Sequence, residues 1–306
     1  MVEKELKKSS DSIFSELIYA SQTFIRKVKE PYSVSLRDVK RVIKLANFFY
    51  DSLEKSSGFG RRFPSGSPTI RIRSYVLALG LCYHSRLYEH ELRKKYCYEM
   101  GQIFQTHDIK VGEEIFIKII REEQEYYFSR MRCPPNVAKI EVLLENILVL
   151  IVCILTKIPV FVIGETGLSK SLAVRLISSN LRGPESSDDY FKTLPKVHIV
   201  SYLCSSSSTS DGIINVFEKA NKYQETNTDQ YPIISVVLLN NVGYAEINRS
   251  NPLKVLHSML EPENEPNVSF IGMSNWRLDI NLDSTLPIWL MQPTISWVPR
   301  LLNLIK

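Results

Sequence analysis

Eight residues near the middle of the chain have the types and the spacing that bind a phosphate group. They are Gly164, Glu165, Thr166, Gly167, Leu168, Ser169, Lys170 and Ser171. In a loop of the form G-x-x-x-x-G-K-[ST], small residues let successive backbone N–H groups surround a phosphate at close range. Lys170 is expected to reach the β- and γ-phosphates as a positive charge, and Ser171 to offer its hydroxyl to Mg²⁺. The loop therefore predicts a site for ATP with Mg²⁺.

One position departs from this pattern, because Ser169 stands where the motif has its second fixed glycine. If that position needs a positive φ, serine costs roughly 1–2 kcal/mol more than glycine. A folded domain tolerates such a cost. For the motif taken alone, a surface turn rich in glycine, serine and lysine remains the other interpretation.

The segments on either side of the loop have the patterns of a strand and a helix. The apolar run 159–163 precedes the loop, and apolar residues follow it at helical spacing, at Leu172, Ala173, Leu176 and Ile177. A strand, a glycine-rich turn and a helix N-terminus form the setting in which a phosphate loop works, since the helix end attracts anions.

A nucleotide-hydrolysing site of this class also needs a second strand that ends in acidic residues. The run 233–239 is almost entirely β-branched and aliphatic, which is typical of a strand buried on both faces of a parallel sheet. At its carboxyl end stand Asn240 and Asn241, whose amides can neither neutralise a metal nor take a proton. Losing a general base alone removes on the order of 10²–10⁴ in rate. The pair predicts a site that holds a nucleotide without hydrolysing it efficiently.

A third apolar run, 268–273, is followed by Ser274, Asn275 and Trp276. Taken alone, Asn275 is an ordinary residue of a loop. If this strand lies between the other two, the amide of Asn275 is expected beside the γ-phosphate, because three strand ends then meet in one crevice.

With these motifs, residues 159–279 resemble an AAA+ module of the mysterin family, the giant ring-finger ubiquitin ligases with a dynein-like AAA+ core. Besides the loop, the resemblance depends on segments 196–201, 204–205, 211–214, 242–246, 252–257, 260–261 and 272–276. It implies a P-loop AAA+ three-layer α/β core with a parallel sheet, ATP and Mg²⁺ as cofactors, and neighbouring AAA+ modules or other proteins as partners. Asn275 matches the position called sensor 1.

The resemblance also applies to Ser169 and to the pair Asn240 and Asn241. In the family this loop also carries serine before lysine, so Ser169 matches it. The family's second strand ends in Asp-Glu, so Asn240 and Asn241 form a degenerate Walker B motif. The chain contains no ring finger, and ubiquitin transfer by the chain itself is not expected.

Two segments relate to the lids of AAA+ modules. Residues 35–41 resemble the lid of the preceding module, where Arg37 matches the position called sensor 2, although the P-loop of that module is not in this chain. The other interpretation of Arg37 is a helix-start arginine paired with an acid.

After Asp279 the family has an Asn-Arg pair before its last core strand. Here no arginine follows Arg277 until Arg300, and the lid that should come next is missing.

These observations predict three parts: a helical, lid-like region at 1–130, an incomplete AAA+ P-loop core at 137–291, and a divergent tail at 292–306. Helical spacing of apolar residues supports helices within 11–30 and 75–98, and a loop is expected at 55–69. The chain is therefore expected to be a fragment that spans one lid and the next core.

Composition limits the other possibilities. The net charge of +5 is spread without a basic block, so nucleic acid is not an expected partner. Five unclustered cysteines and a charged, polar N-terminus favour the cytoplasm. The apolar stretch 142–163 is interrupted by Glu145, Asn146 and Lys157, which indicates a buried helix rather than a membrane span.

The leading functional hypothesis is a nucleotide-binding, hydrolysis-deficient AAA+ module of a mysterin-like ubiquitin ligase. An active AAA+ ATPase of the same family is the alternative enzyme. A scaffold or a decayed truncation product that binds no nucleotide is the alternative from another class.

Overall fold

The computed structural model describes residues 12–28, 34–226, 232–260 and 267–276, and the backbone of 288–291. The helices that precede the sheet are α1 Ser12–Val28, α2 Leu36–Ser57, α3 Ile70–Cys82, α4 His90–Thr106, α5 Glu113–Ser129 and α6 Glu141–Thr156. The α/β part contains β1 Val160–Ile163, α7 Lys170–Asn180, α8 Asp189–Lys192, β2 Lys196–Leu203, α9 Ser210–Glu225, β3 Ile233–Asn240, α10 Val242–Glu246, α11 Val255–Met259, β4 Ser269–Ser274 and β5 Ile288–Met291. Short 3-10 turns lie at His84–Arg86, Gly183–Glu185 and Pro252–Lys254. The predicted tail 292–306 lies outside the described residues, as do Asp279 and Arg300.

The five strands form one parallel sheet in the order β2-β3-β4-β1-β5. Because all strands run the same way, their carboxyl ends meet at one edge. The order places β4 between β1 and β3, which is the arrangement that the sequence analysis required for Asn275. β5 pairs with β1, so a short last strand is present although the segment before it departs from the family pattern.

Alternate residues along the strands point to opposite faces of the sheet, as the pleat requires. Val160 and Val162 pack with α6 and α7, whereas Phe161 and Ile163 pack with α9, α10 and α11. Helices thus cover both faces, and the predicted three-layer α/β core is confirmed.

The helical part packs directly on one face of this core. A single apolar cluster runs from α1 and α2 through α6 to β1 and β4. Ser35 caps α2, in a capping box with Asp38. Asp38 is itself buried and accepts a hydrogen bond from Arg86 of the 3-10 turn.

The apolar stretch 142–163 forms α6 and β1, and almost every residue of α6 is buried. The prediction of a buried helix is therefore confirmed. Among the described residues, no helix has the length and the apolar character needed to cross a membrane.

Candidate functional site

The loop 164–169 joins the carboxyl end of β1 to the first turn of α7. Gly167 has a φ of 88° and Ser169 a φ of 58°, so both lie in the left-handed region. Glycine adopts this conformation freely, whereas serine pays about 1–2 kcal/mol for it. The structure thus places a serine where the motif normally uses glycine for a conformational reason.

Lys170 is the first residue of α7, and its side chain turns back across the loop. The ammonium donates hydrogen bonds to the carbonyl oxygens of Gly164 and Glu165, the latter at 2.8 Å. The residue is only 8% exposed. Burial lowers the pKa of Lys170 from its ordinary value to about 8. The loop therefore holds a positive charge that titrates close to neutral pH.

Asn146 supports the loop from α6. Its fully buried side-chain amide donates a 3.0 Å hydrogen bond to the carbonyl oxygen of Leu168. At the start of the loop, the backbone N–H of Gly164 donates to the carbonyl oxygen of Ser274 at 3.2 Å. Sequence reasoning missed Asn146 and treated it only as an interruption of an apolar run. A buried amide in an otherwise apolar helix was the available signal, because such a group needs a hydrogen-bond partner.

Asn240 ends β3, and Asn241 follows it with a φ of 56°. Both side chains are half-buried and line a cleft of about 550 Å³ together with Ser171. The structure thus brings the predicted metal-binding hydroxyl and the two amides to one place. None of the described residues that line this cleft has a carboxylate, and Arg175 is its one charged side chain among them.

These residues suit a nucleotide better than they suit Mg²⁺. The loop and Lys170 provide the backbone turn and the positive charge that a nucleotide's phosphates require. Mg²⁺ in nucleotide sites is normally held through one or two carboxylates as well as the phosphates. Ser171, Asn240 and Asn241 offer only neutral oxygens. Within the described part of the chain, no group of three histidine, cysteine, aspartate or glutamate residues could hold a metal ion.

Asn275 directly follows β4 and is half-buried. The next residue, Trp276, fixes this strand end against α10. A Cβ atom placed on Gly243 would lie 2.5 Å from the Trp276 ring, and Tyr244 meets the same ring edge to face at 5.0 Å. Close packing against Trp276 thus requires glycine at position 243.

The serine-rich segment after β2 lies at the same edge of the sheet. Ser208 is buried, and its hydroxyl accepts a hydrogen bond from the backbone N–H of Ser205 at 2.9 Å. The amide of Asn248 donates to the carbonyl oxygen of Ser208 at 2.9 Å. Thr209 then caps α9. The serines therefore shape a turn.

Arg37 lies in the first turn of α2, within the helical part, and is half-buried. Its neighbour Asp38 bonds Arg86 and also Arg41, the latter at 3.0 Å. These two arginines hold the pKa of Asp38 below its ordinary value although burial acts to raise it. The acid beside Arg37 therefore serves the fold of the helical part.

Comparison with known proteins agrees with the resemblance inferred from the motifs. The family model described as the RNF213 AAA domain matches residues 136–284. The chain is 34% identical over 294 residues to the E3 ubiquitin-protein ligase RNF213 of Homo sapiens, and this match covers 90% of the chain and 6% of the human protein. It is also 34% identical to rnf213-beta of Danio rerio, over 91% of the chain and 6% of that protein. The mouse RNF213 is 32% identical over 89% of the chain.

The chain thus spans about 6% of the length of these curated relatives. Among solved structures, a closed-state cryo-EM reconstruction of Hsp104 with ATPyS and FITC casein is 12% identical, with a TM-score of 0.25. That match covers 88% of this chain and 45% of the other. Its score is too low to bear on the fold.

Proposed function

The chain belongs to the mysterin family, as an AAA+ module related to RNF213, and we propose that it binds ATP through the loop 164–171 with little or no hydrolysis. The single observation that carries the proposal is the loop itself. It has left-handed turns at Gly167 and Ser169, and the ammonium of Lys170 lies within it. The ends of β1, β3 and β4 adjoin this loop at one edge of the sheet.

Binding is supported by the groups that the loop presents. A nucleotide's phosphates would be held by loop N–H groups and the N-terminus of α7, and Lys170 would add its charge to the β- and γ-phosphates. For this, Lys170 would exchange its bonds to the carbonyl oxygens of Gly164 and Glu165 for phosphate oxygens. The amide of Asn146 would keep the loop backbone in place during this exchange.

Weak hydrolysis is supported by the residues at the end of β3. A metal supplies charge neutralisation for phosphoryl transfer, and a carboxylate orients the attacking water. Asn240 and Asn241 can orient a water by hydrogen bonding but cannot take its proton. Among the described residues that line the adjoining cleft, the groups that could face Mg²⁺ are neutral oxygens, which hold this ion less well than carboxylates do.

We propose neighbouring AAA+ modules or other proteins as partners, in keeping with the length of the relatives. The relatives bear the name of ubiquitin ligases. For this chain, the proposed contribution to such a protein is nucleotide binding rather than ubiquitin transfer.

The test of hydrolysis is a phosphate-release assay with ATP and Mg²⁺. We expect the wild-type chain to stay near background, far below about 1 s⁻¹. Turnover above that rate would contradict the proposal and would assign the missing role to another carboxylate, such as Glu165 or Glu246.

A matched variant restores both acids, Asn240→Asp with Asn241→Glu. It is expected to strengthen Mg²⁺-dependent nucleotide binding more than turnover, because an arginine finger supplied by a neighbour can be worth 10³–10⁵ in rate. Vigorous turnover by the isolated double variant would show that no neighbour is needed.

A further inference from the structure

A second cavity lies in the helical part, away from the loop 164–171. It has a volume of about 270 Å³ and is enclosed by α3, α4, α5, α6 and the 3-10 turn His84–Arg86. Small-molecule sites usually measure about 300–1,000 Å³. The cavity is therefore of a size for one small ring system rather than for a dinucleotide or a peptide.

Apolar side chains from three helices form part of the walls of this cavity. Leu81 of α3, Ile117 and Ile120 of α5, and Leu144, Leu148 and Val149 of α6 all line it. The backbone of α3 approaches α5 closely at Gly80, where an added Cβ would lie 2.8 Å from the Cδ1 atom of Ile120. Apolar walls of this kind suit the faces of a planar ring.

Two of the polar side chains that line the same cavity can each donate and accept hydrogen bonds. One is the amide of Gln124, a residue only 8% exposed, and the other is the imidazole of His84. Burial lowers the pKa of His84 to about 3, with Arg93 and His90 acting in the same direction, so the ring is neutral. A neutral imidazole and an amide together offer both donors and acceptors.

Several of the charged side chains around the cavity are already paired. Arg93 donates to Glu145 at 3.0 Å, and both side chains are largely buried. At the rim, Glu125 lies 3.5 Å from Arg121 and 3.4 Å from Lys139. An uncharged ligand would leave these pairs intact.

We propose that this cavity is a binding site for a small uncharged aromatic heterocycle of nucleobase size. The apolar walls contact the faces of the ring, and the side chains of Gln124 and His84 bond the donors and acceptors at its edge. The site is separate from the loop 164–171 and does not depend on the function proposed for that loop.

The test is ligand-observed saturation-transfer NMR with adenine, uracil and nicotinamide as probes and toluene as an apolar control. At least one heterocycle should bind with a Kd of about 1 mM or tighter, and toluene should bind at least tenfold more weakly. Binding should persist in Lys170→Ala, which alters the nucleotide loop only. Absence of binding by all three heterocycles at millimolar concentration would overturn the proposal, as would toluene binding equally well.

Two variants locate the site. Gln124→Leu and His84→Leu should each weaken heterocycle binding at least tenfold, whereas Gln102→Leu, at an exposed position of α4, should not. If either cavity variant fails to fold, NMR of the wild-type protein still tests the proposal. On saturation with the ligand, the side-chain amide resonances of Gln124 should shift, and unchanged Gln124 resonances would place the ligand elsewhere.

Discussion

At the scale of single residues, Lys170 predicts how nucleotide binding depends on pH. Its pKa of about 8 lies below the ordinary value because the side chain is buried. Phosphate oxygens favour the charged form, so a bound nucleotide raises this pKa, and affinity must fall as the free loop loses its proton. The Kd for ATP should be nearly constant up to pH 8 and then rise by up to about tenfold per pH unit.

Isothermal titration at pH 7.5, 8.5 and 9.5 measures this dependence. Lys170→Ala is the control, since it should show no binding whose strength falls above pH 8. A wild-type Kd that stays the same from pH 7.5 to 9.5 would show that the charge of Lys170 does not contribute to binding.

Individual residues differ in how far the sequence could predict them. The positive φ of Ser169 could be predicted from its place in the motif. The place of Lys170 in the loop could be predicted from the spacing of the motif. The bond from Asn146 to Leu168 could not be predicted, because it joins two elements whose packing the local pattern does not specify. The lowered pKa of Lys170 could not be predicted either, because it depends on burial of the side chain in the folded chain.

At the scale of elements, the contact between α6 and the loop should couple stability to binding. Asn146→Ala removes the donor to the carbonyl oxygen of Leu168. We expect a loss of about 1–3 kcal/mol in the free energy of unfolding. We also expect weaker ATP binding by the protein that remains folded, since the loop backbone is no longer held.

Asn180→Ala is the matched control for this variant. Asn180 is also buried, at the end of α7, and its amide bonds the carbonyl oxygens of Arg132 and Leu176. Its loss should lower stability similarly but leave the Kd for ATP unchanged. Urea unfolding and calorimetry on both variants separate the two effects. Equal effects on the Kd would mean that Asn146 has no specific role in the loop.

Elements with long, regular patterns were predictable and short ones were not. β3 and the buried α6 follow from continuous apolar runs, because burial on both sides selects such residues. β5 has only four residues, and its pairing with β1 defines it more than its own sequence does. The 3-10 turn His84–Arg86 likewise depends on tertiary packing.

At the scale of the whole molecule, the question is whether the helical part and the α/β part fold together. The sequence predicts a boundary between the helical part and the α/β part near 130–137, and that boundary remains a prediction. The apolar cluster, however, continues from α1 to β4 without a break in the described residues. We therefore expect one cooperative unfolding transition rather than two.

Urea unfolding followed by two probes measures this cooperativity. Far-UV circular dichroism reports mostly the helices, whereas fluorescence reports the carboxyl-terminal part of the chain, because the three tryptophans are Trp276, Trp289 and Trp297. The two midpoints should coincide. Midpoints that differ clearly would support two independently folding units instead.

The measurement that tests the central claim most directly is a calorimetric titration of the folded chain with ATP and Mg²⁺, beside Lys170→Ala under the same conditions. The account predicts saturable binding by the wild type and a loss of that binding in the variant, because the loop turn alone lacks the charge that holds the phosphates. Absence of binding by well-folded wild type would contradict the account, and so would equal affinity in the two proteins.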